Sequence, residues 1–187
     1  MASDHEHDPA HREGPVPTTE ELAVELAELR RRVDACESVL AVQELKARYG
    51  DLVDQRFARG RVVDGDRLRE ITDGIAALFT EDGIWDGGPG LGAVQGRPAI
   101  AERLRTPTLV FSRHLFVTPR VEVDGDRASA RWELLSPCSR PDGTAYWMCG
   151  YEDDTYTRVD GIWLHATMRL TTVFLATAGG GWGAVLA

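Results

Sequence analysis

The stretch FSRHLFVTPRVEVDGDRASARWELLS, residues 111–136, predicts two antiparallel strands joined by a turn. Apolar and polar residues alternate along it, which is the period of a strand that buries one face. The DGD sequence at its centre is typical of a hairpin turn. The second strand carries Ala128, Ala130, Trp132 and Leu134 on one face, and the same alternation brings Ser136 to the inner face of the sheet.

Helical periodicity precedes this stretch. Apolar residues at three- and four-residue steps predict a long amphipathic helix within residues 18–60. Because the pattern is longer than a typical globular helix, we expect either a break near residues 35–39 or an N-terminal helix that packs on another subunit. Shorter helices are predicted at residues 65–79 and 97–104.

The alternation typical of strands continues from this stretch to residue 175. The four candidate strands lie within residues 108–125, 126–139, 144–161 and 162–175. Helices followed by strands indicate an α+β fold, with the helices gathered on one face of a curved, mostly antiparallel sheet. Such a sheet, roofed by helices, forms a cone-shaped barrel with an internal hydrophobic cavity.

The last candidate strand has one apolar face and one mixed face. The apolar face carries Leu164, Ala166, Met168, Leu170 and Thr172. Since His165 alternates with these residues, we expect it on an outer or interfacial face.

The predicted folded domain spans residues 19–176. Residues 1–18 contain three histidines but no periodicity, which is more typical of a flexible tail than of a metal site. The glycine-rich residues 177–187 are interpreted as a loose tail, or as a flap that closes over a cavity with Trp182.

Composition narrows the classes of function. Apolar residues make up 43% of the chain and charged residues 27%, which is typical of a soluble globular protein. A net charge of −9 argues against nucleic-acid binding, and the absence of an apolar leader predicts a cytoplasmic location without membrane contact. Three cysteines without C-x-x-C spacing predict neither a disulfide framework nor a structural zinc site.

His114 is the residue of greatest chemical interest, because it lies among apolar neighbours in the first of these strands. A buried imidazole is either a structural residue bonded to backbone or water, or a general base oriented by a carboxylate. Asp54, near the end of the long helix, is the candidate carboxylate, whereas Asp51 fits a solvated acid better.

Five segments of the chain resemble one family in order. They are AVQELKARYGDLVD (41–54), LFTEDGIWDGG (78–88), RPAIAERL (97–104), RHLFVTPRVEVDGDRASARWEL (113–134) and YEDDTYTRVDGIWLHATMRL (151–170). Together they resemble the SnoaL-like branch of the nuclear-transport-factor-2-like superfamily, over roughly residues 37–175. The resemblance implies an α+β cone with a deep hydrophobic cavity.

Within that family the pattern is most similar to bile-acid 7α-dehydratase and scytalone dehydratase. The resemblance implies that Tyr49, Asp54 and His114 are the catalytic residues, with Asp54 orienting His114 as the base. The sequence departs from the bile-acid enzymes at Ser136, where they have an aspartate, and at Thr172, where they have an arginine. We therefore expect a different substrate.

The implied activity is that of a lyase or cyclase, of the dehydratase or polyketide-cyclase type, acting without cofactor or metal. Its substrate would be a hydrophobic, oxygenated small molecule, such as a natural-product intermediate. The residues expected to bind it are Trp85, Phe116, Trp132, Ser136, Trp147, Met168 and Thr172.

Two other functions remain open at this stage. The same cone also serves as a non-catalytic binding or assembly module. Epoxide hydrolysis would need further carboxylates in the cavity, for which Asp153 and Asp154 are candidates. The broad outer face of a curved sheet and the apolar surface of the N-terminal helix predict a homo-dimer or homo-trimer.

Overall fold

The computed structural model describes residues 16–179, in which three helices and nine strands are present. The helices are α1 (Thr19–Gln55), α2 (Gly65–Ala76) and α3 (Arg97–Arg105). The strands are β1 (Phe57–Ala58), β2 (Arg61–Val62), β3 (Phe79–Asp86), β4 (Ala93–Gln95), β5 (Phe111–Ser112), β6 (Leu115–Asp124), β7 (Arg127–Ser139), β8 (Ala145–Val159) and β9 (Ile162–Thr177). The chain divides into two compact units, one ending at Asp34 and the other beginning at Ala35.

The described part of the first unit is the N-terminal portion of α1. Thr18 and Glu21 form a capping box, in which Glu21 N–H donates to Thr18 Oγ1 at 3.2 Å and Thr18 N–H donates to the Glu21 carboxylate at 2.7 Å. Every described side chain of this unit is exposed. Helix α1 continues without interruption through residues 35–39, so the break, which was one of the two alternatives, does not occur.

The second unit contains the sheet. Seven strands form it, in the order β4-β3-β9-β8-β7-β5, with β6 also pairing with β7. Every strand pair is antiparallel except β3 with β9, which is parallel. Within the described residues the two edges of the sheet do not pair with each other, so the curved sheet is open. The predicted α+β fold with a mostly antiparallel curved sheet is confirmed.

The alternation predicted for β7 is confirmed. Ala128, Ala130, Trp132 and Leu134 are all buried, and Ser136 continues the buried set. Ala128, Ala130 and Trp132 pack with α1, α2 and α3 in one hydrophobic core that includes Val42, Ile75, Ile100 and Trp163. The helices therefore cover the inner face of the sheet.

The predicted position of His165 is wrong, because β9 contains a bulge. Thr155 and Tyr156 of β8 are adjacent, yet they pair with Thr167 and His165 of β9. The extra residue, Ala166, reverses the alternation for the start of the strand. Met168 and Leu170 are buried as expected, but Trp163 and His165 take the buried positions predicted for Leu164 and Ala166.

Strands β3 and β4 were not predicted. A helix was predicted at residues 65–79, but α2 already ends at Ala76 and residue 79 begins β3. Glu81 and Asp82 are both exposed, so they interrupt the alternation typical of a strand. Buried and partly buried residues alternate only in the C-terminal half of β3. β3 matters for the site because it places Trp85 beside Met168 of β9.

No helix in residues 16–179 combines the length and the apolar character needed to cross a membrane. The three N-terminal histidines and Trp182 lie outside the described residues. The proposed tail, flap and domain limits therefore remain predictions.

Gly150 provides a test of the β8–β9 register. A Cβ atom there would overlap the carbonyl oxygen of Thr171, which is backbone and cannot rotate away. We expect Gly150→Ala to lower the free energy of unfolding by about 1–3 kcal/mol, measured by urea denaturation. The control is Gly65→Ala, where the added methyl meets open space at the first residue of α2. Equal stability of the two variants would contradict this register.

Candidate active site

A cavity of about 1110 Å³ lies within the second unit. Its walls are mainly apolar and come from α1, α3, the loop after β3 and strands β7 to β9. Leu91, Leu134 and Met168 are among its apolar lining residues. A cavity of this size accommodates a polycyclic small molecule.

His114 lines this cavity and is hydrogen-bonded to Asp54. The His114 Nδ1 atom lies 2.7 Å from Asp54 Oδ1. The His114 side chain is 15% exposed and that of Asp54 is 7% exposed. Since Nδ1 is held by the carboxylate, Nε2 is the ring nitrogen left to exchange a proton with a molecule in the cavity.

Backbone geometry fixes the pair further. Asp54 lies in the last turn of α1, and His114 lies in the short interval between β5 and β6. The His114 backbone N–H donates to both carboxylate oxygens of Asp54, at 3.1 and 3.2 Å. Arg113 Nη1 also lies 3.2 Å from Asp54 Oδ2. The Asp54 carboxylate therefore holds the chain before β6 as well as the imidazole.

Tyr49 supplies a hydroxyl group at the same cavity. It lies on α1 five residues before Asp54, and its oxygen accepts a hydrogen bond from Trp85 Nε1 at 3.0 Å. Burial, together with the charge of Glu152, raises the pKa of Tyr49 far above its ordinary value. The phenol therefore stays protonated and remains a donor toward a ligand oxygen.

Glu152 brings a carboxylate to the cavity lining from β8. It forms a buried ion pair with Lys46 Nζ, and the same ammonium lies 2.7 Å from Asp154 Oδ2. One cation therefore lies between two buried carboxylates. Burial alone would lower the pKa of Lys46, but the charges of Asp154 and Glu152 together raise it, so the lysine remains charged.

The network continues from Asp154 into the core. Tyr156 donates its hydroxyl proton to Asp154 at 2.8 Å and accepts a hydrogen bond from Trp132 Nε1 at 3.0 Å. Burial raises the pKa of Asp154 to about 6. His165, stacked on Phe79, is fully buried; burial and the charge of Lys46 lower its pKa well below the ordinary value, so it is neutral.

Arg56 places a positive charge at the cavity. Its Nε donates to the Val53 carbonyl at 3.0 Å and its Nη1 to the Leu104 carbonyl at 3.3 Å, while only 9% of the residue is exposed. No ion pair to Arg56 occurs among residues 16–179. Burial lowers its pKa, yet an arginine remains charged, so this guanidinium favours an electron-rich ligand group.

The residues predicted to bind substrate fall into two groups. Trp85, Met168 and Thr172 line the cavity, as do Tyr49 and His114. Phe116, Trp132, Ser136 and Trp147 are absent from its lining in the described structure. The ring centroid of Phe116 lies 5.9 Å from that of His114, and Ser136 is buried in contact with Cys138.

Lys46, Arg56 and Glu152 were missed at the sequence level. The alternation of β8 carried a usable signal for Glu152, because Gly150, Glu152, Asp154 and Tyr156 share one buried face. Asp153, which the epoxide hypothesis required in the cavity, instead lies outside and forms an ion pair with Arg131 at 2.7 Å. Asp154 is buried against Lys46 rather than lining the cavity.

A family model described as a SnoaL-like domain matches residues 34–169. The chain belongs to this family. The match begins in α1 and ends within β9, and it includes every residue named at the cavity except Thr172. No curated protein gives a significant match to the chain.

Solved structures share the fold of this SnoaL-like protein. A protein of unknown function from Mycobacterium tuberculosis is 26% identical, with a TM-score of 0.59 over 74% of this chain and 73% of that one. A putative scytalone dehydratase from Novosphingobium aromaticivorans is 19% identical, with a TM-score of 0.59 over 83% and 90%. The type 3 hexachlorocyclohexane dehydrochlorinase LinA from Novosphingobium barchaimii is 18% identical, with a TM-score of 0.66 over 80% and 96%.

The ion pairs of Lys46 lead to a prediction about the free energy of unfolding. Lys46→Met leaves two buried carboxylates without their cation, and we expect a loss of about 3–5 kcal/mol in the free energy of unfolding. The triple variant Lys46→Met, Glu152→Gln, Asp154→Asn removes the charges together and should recover much of that loss. Urea denaturation measures both. A triple variant no more stable than Lys46→Met would contradict the explanation that the unpaired carboxylates cause the loss.

Proposed function

We propose that this protein is a cofactor-independent lyase or cyclase that removes a proton from a carbon next to a carbonyl group. The observation that carries the proposal is the Asp54–His114 pair, whose 2.7 Å contact leaves one imidazole nitrogen available at a large, mainly apolar cavity. Asp54 is a positioning residue, since it acts through His114. The reaction we favour is dehydration of a β-hydroxy carbonyl compound.

The proton transfer uses His114 alone. Nε2 takes the proton from the carbon between the carbonyl and the carbinol, and the C–H electron pair moves toward the carbonyl oxygen. Asp54 stabilises the imidazolium that forms and keeps the ring oriented. When the enolate collapses, the C–O bond breaks, the new C=C bond forms and the imidazolium protonates the departing hydroxyl, which leaves as water.

Tyr49 stabilises the negative charge that develops on the carbonyl oxygen. Its phenol is kept protonated by burial and is oriented by the hydrogen bond from Trp85. A preorganised donor in a water-poor site stabilises a developing oxyanion more than it stabilises the neutral carbonyl. Cyclisation differs only in the fate of the enolate, which then attacks a second carbon of the same substrate.

The lining suggests the class of substrate. Apolar walls accommodate a hydrophobic ring system, while Arg56 and Glu152 are charged groups within the same cavity. Because Glu152 is already paired with Lys46 and Arg56 has no ion-pair partner in the described chain, an anionic substituent would be held at Arg56. We therefore favour polycyclic hydroxy ketones that carry a carboxylate.

Epoxide hydrolysis is less well supported. Of the two aspartates suggested for it, one is at the outer surface and the other is bonded to Lys46 and Tyr156. A non-catalytic binding module remains the competing function, and the experiment below separates it from an enzyme.

The activity test uses a panel of bicyclic and tricyclic β-hydroxy ketones, with formation of the conjugated enone followed by its ultraviolet absorbance. We expect turnover of at least one compound by the native protein. His114→Gln and Asp54→Asn should each reduce kcat by about 10²- to 10⁴-fold, because general base catalysis contributes that much.

The matched control is Asp51→Asn, which removes an exposed carboxylate from the same helix and should retain full activity. Circular dichroism of each variant verifies folding. Native turnover by His114→Gln would contradict the proposed base. Binding of panel members without any turnover by the native protein would instead support the binding module.

A separate test addresses Arg56. For two panel members that differ only in a carboxylate, Arg56→Gln should raise KM at least tenfold for the acid and little for the neutral compound. Arg169→Gln, at a cavity residue whose side chain is 64% exposed, is the control and should have a smaller effect. An equal effect of Arg56→Gln on both compounds would contradict a carboxylate contact.

A further inference from the structure

Helix α1 carries an exposed apolar stripe that its own domain does not use. Its members recur at alternating steps of four and three residues, which is the a and d pattern of a heptad repeat. They are Leu22, Leu26, Leu29, Val33, Cys36 and Leu40. The five aliphatic members are between 46% and 64% exposed, and the Cys36 thiol is exposed and free.

Within the second unit, the face of α1 that is buried differs from the face that carries the apolar stripe. Ser38, Val42 and Leu45 are buried there, while Leu40, between them in sequence, is 64% exposed. The stripe thus remains uncovered even where the helix is anchored. An apolar row of this length on a helix indicates a partner helix.

Charges beside the stripe identify the partner as a second copy of this chain. With Leu26, Val33 and Leu40 at a positions, the g positions are Glu25 and Arg32 and the e positions are Arg30 and Glu37. In a parallel, in-register pair, each g residue faces the e residue five positions later on the other helix. Both contacts then join opposite charges, Glu25 with Arg30 of the second copy and Arg32 with Glu37 of the second copy.

The same charges disfavour an antiparallel pair. Residue 31 is the centre of the stripe, so antiparallel overlap of the whole stripe would bring Arg30 toward Arg30 of the second copy, and Arg32 toward Arg32. Within the single chain, none of Glu25, Arg30, Arg32 and Glu37 forms an ion pair in the described range. In contrast, Glu28 and Arg31, on the side away from the stripe, pair with each other at 2.6 Å.

We propose that residues 22–40 of α1 form a parallel, in-register, two-stranded coiled coil with the same segment of a second copy. Val33 at a central a position and leucine at two of the d positions favour two strands. Cys36 occupies a d position, where parallel pairing brings the same residue of both helices together at the seam. The proposal is independent of the activity proposed above.

The Cys36 thiol, which lies at the proposed contact between the two helices, allows the proposal to be tested by disulfide cross-linking. Cys149→Ser removes the partly exposed cysteine, and Cys138 is buried, so Cys36 is the accessible thiol that remains. Diamide oxidises two thiols to one disulfide and is itself reduced. We expect a covalent dimer on a non-reducing gel at low micromolar protein, and a dimer mass by light scattering before oxidation.

The matched control moves the thiol to the outer side of the helix. In the same background, Cys36→Ser with Arg31→Cys places the cysteine at an f position, and cross-linking should be at least tenfold slower. Comparable rates in the two proteins would mean that linkage follows random collision and would overturn the proposal.

Charge exchange tests the register. Glu25→Arg puts like charges at a g–e contact and should slow Cys36 linkage and weaken the dimer at least tenfold. Adding Arg30→Glu restores opposite charges and should restore both. A monomer by light scattering, a dimer without the Cys36 linkage, or no rescue by the second substitution would each overturn the proposal.

Discussion

The buried contact between Lys46 and the two carboxylates of β8 is the constraint on which the site depends. A charged lysine inside a core is tolerated only if it is paired, and here the pairing partners are residues of the sheet, while the lysine belongs to the helix. Rotation of α1 would separate these charges in a medium of low dielectric. The part of α1 around Lys46 is therefore held in rotation and translation against β8, more specifically than apolar packing alone would achieve.

The consequence appears in the following turns of the same helix. Tyr49 and Asp54 lie after Lys46 on α1, so their directions are set by the same anchor. The Asp54 carboxylate then bonds both the ring and the backbone of His114, which fixes the base from two sides. Stability and chemistry are coupled, because the group that seats the helix also determines where its functional side chains lie.

Local alternation was sufficient to predict β7, and helical spacing was sufficient to predict that α1 exists. The position of His165 was missed because the bulge at Ala166 changes the alternation through pairing with another strand, which no local pattern contains. β3 was missed because its acidic residues face solvent beside an otherwise ordinary strand. The Asp54–His114 contact was inferred from family resemblance, whereas Lys46 and Arg56 look in sequence like ordinary surface cations, since nothing local indicates that distant segments bury them.

The parallel pairing of β3 with β9 has a further consequence for how this protein is made. Trp85 pairs with Met168, and β9 is the last strand of the sheet within residues 16–179. During synthesis the chain that emerges first, with α1 and β3, must wait for the last strand before the cavity wall can close. Until β9 is synthesised, the apolar side chains of β3 that pack beside it lack that partner, so we expect the candidate site to be among the last features to form.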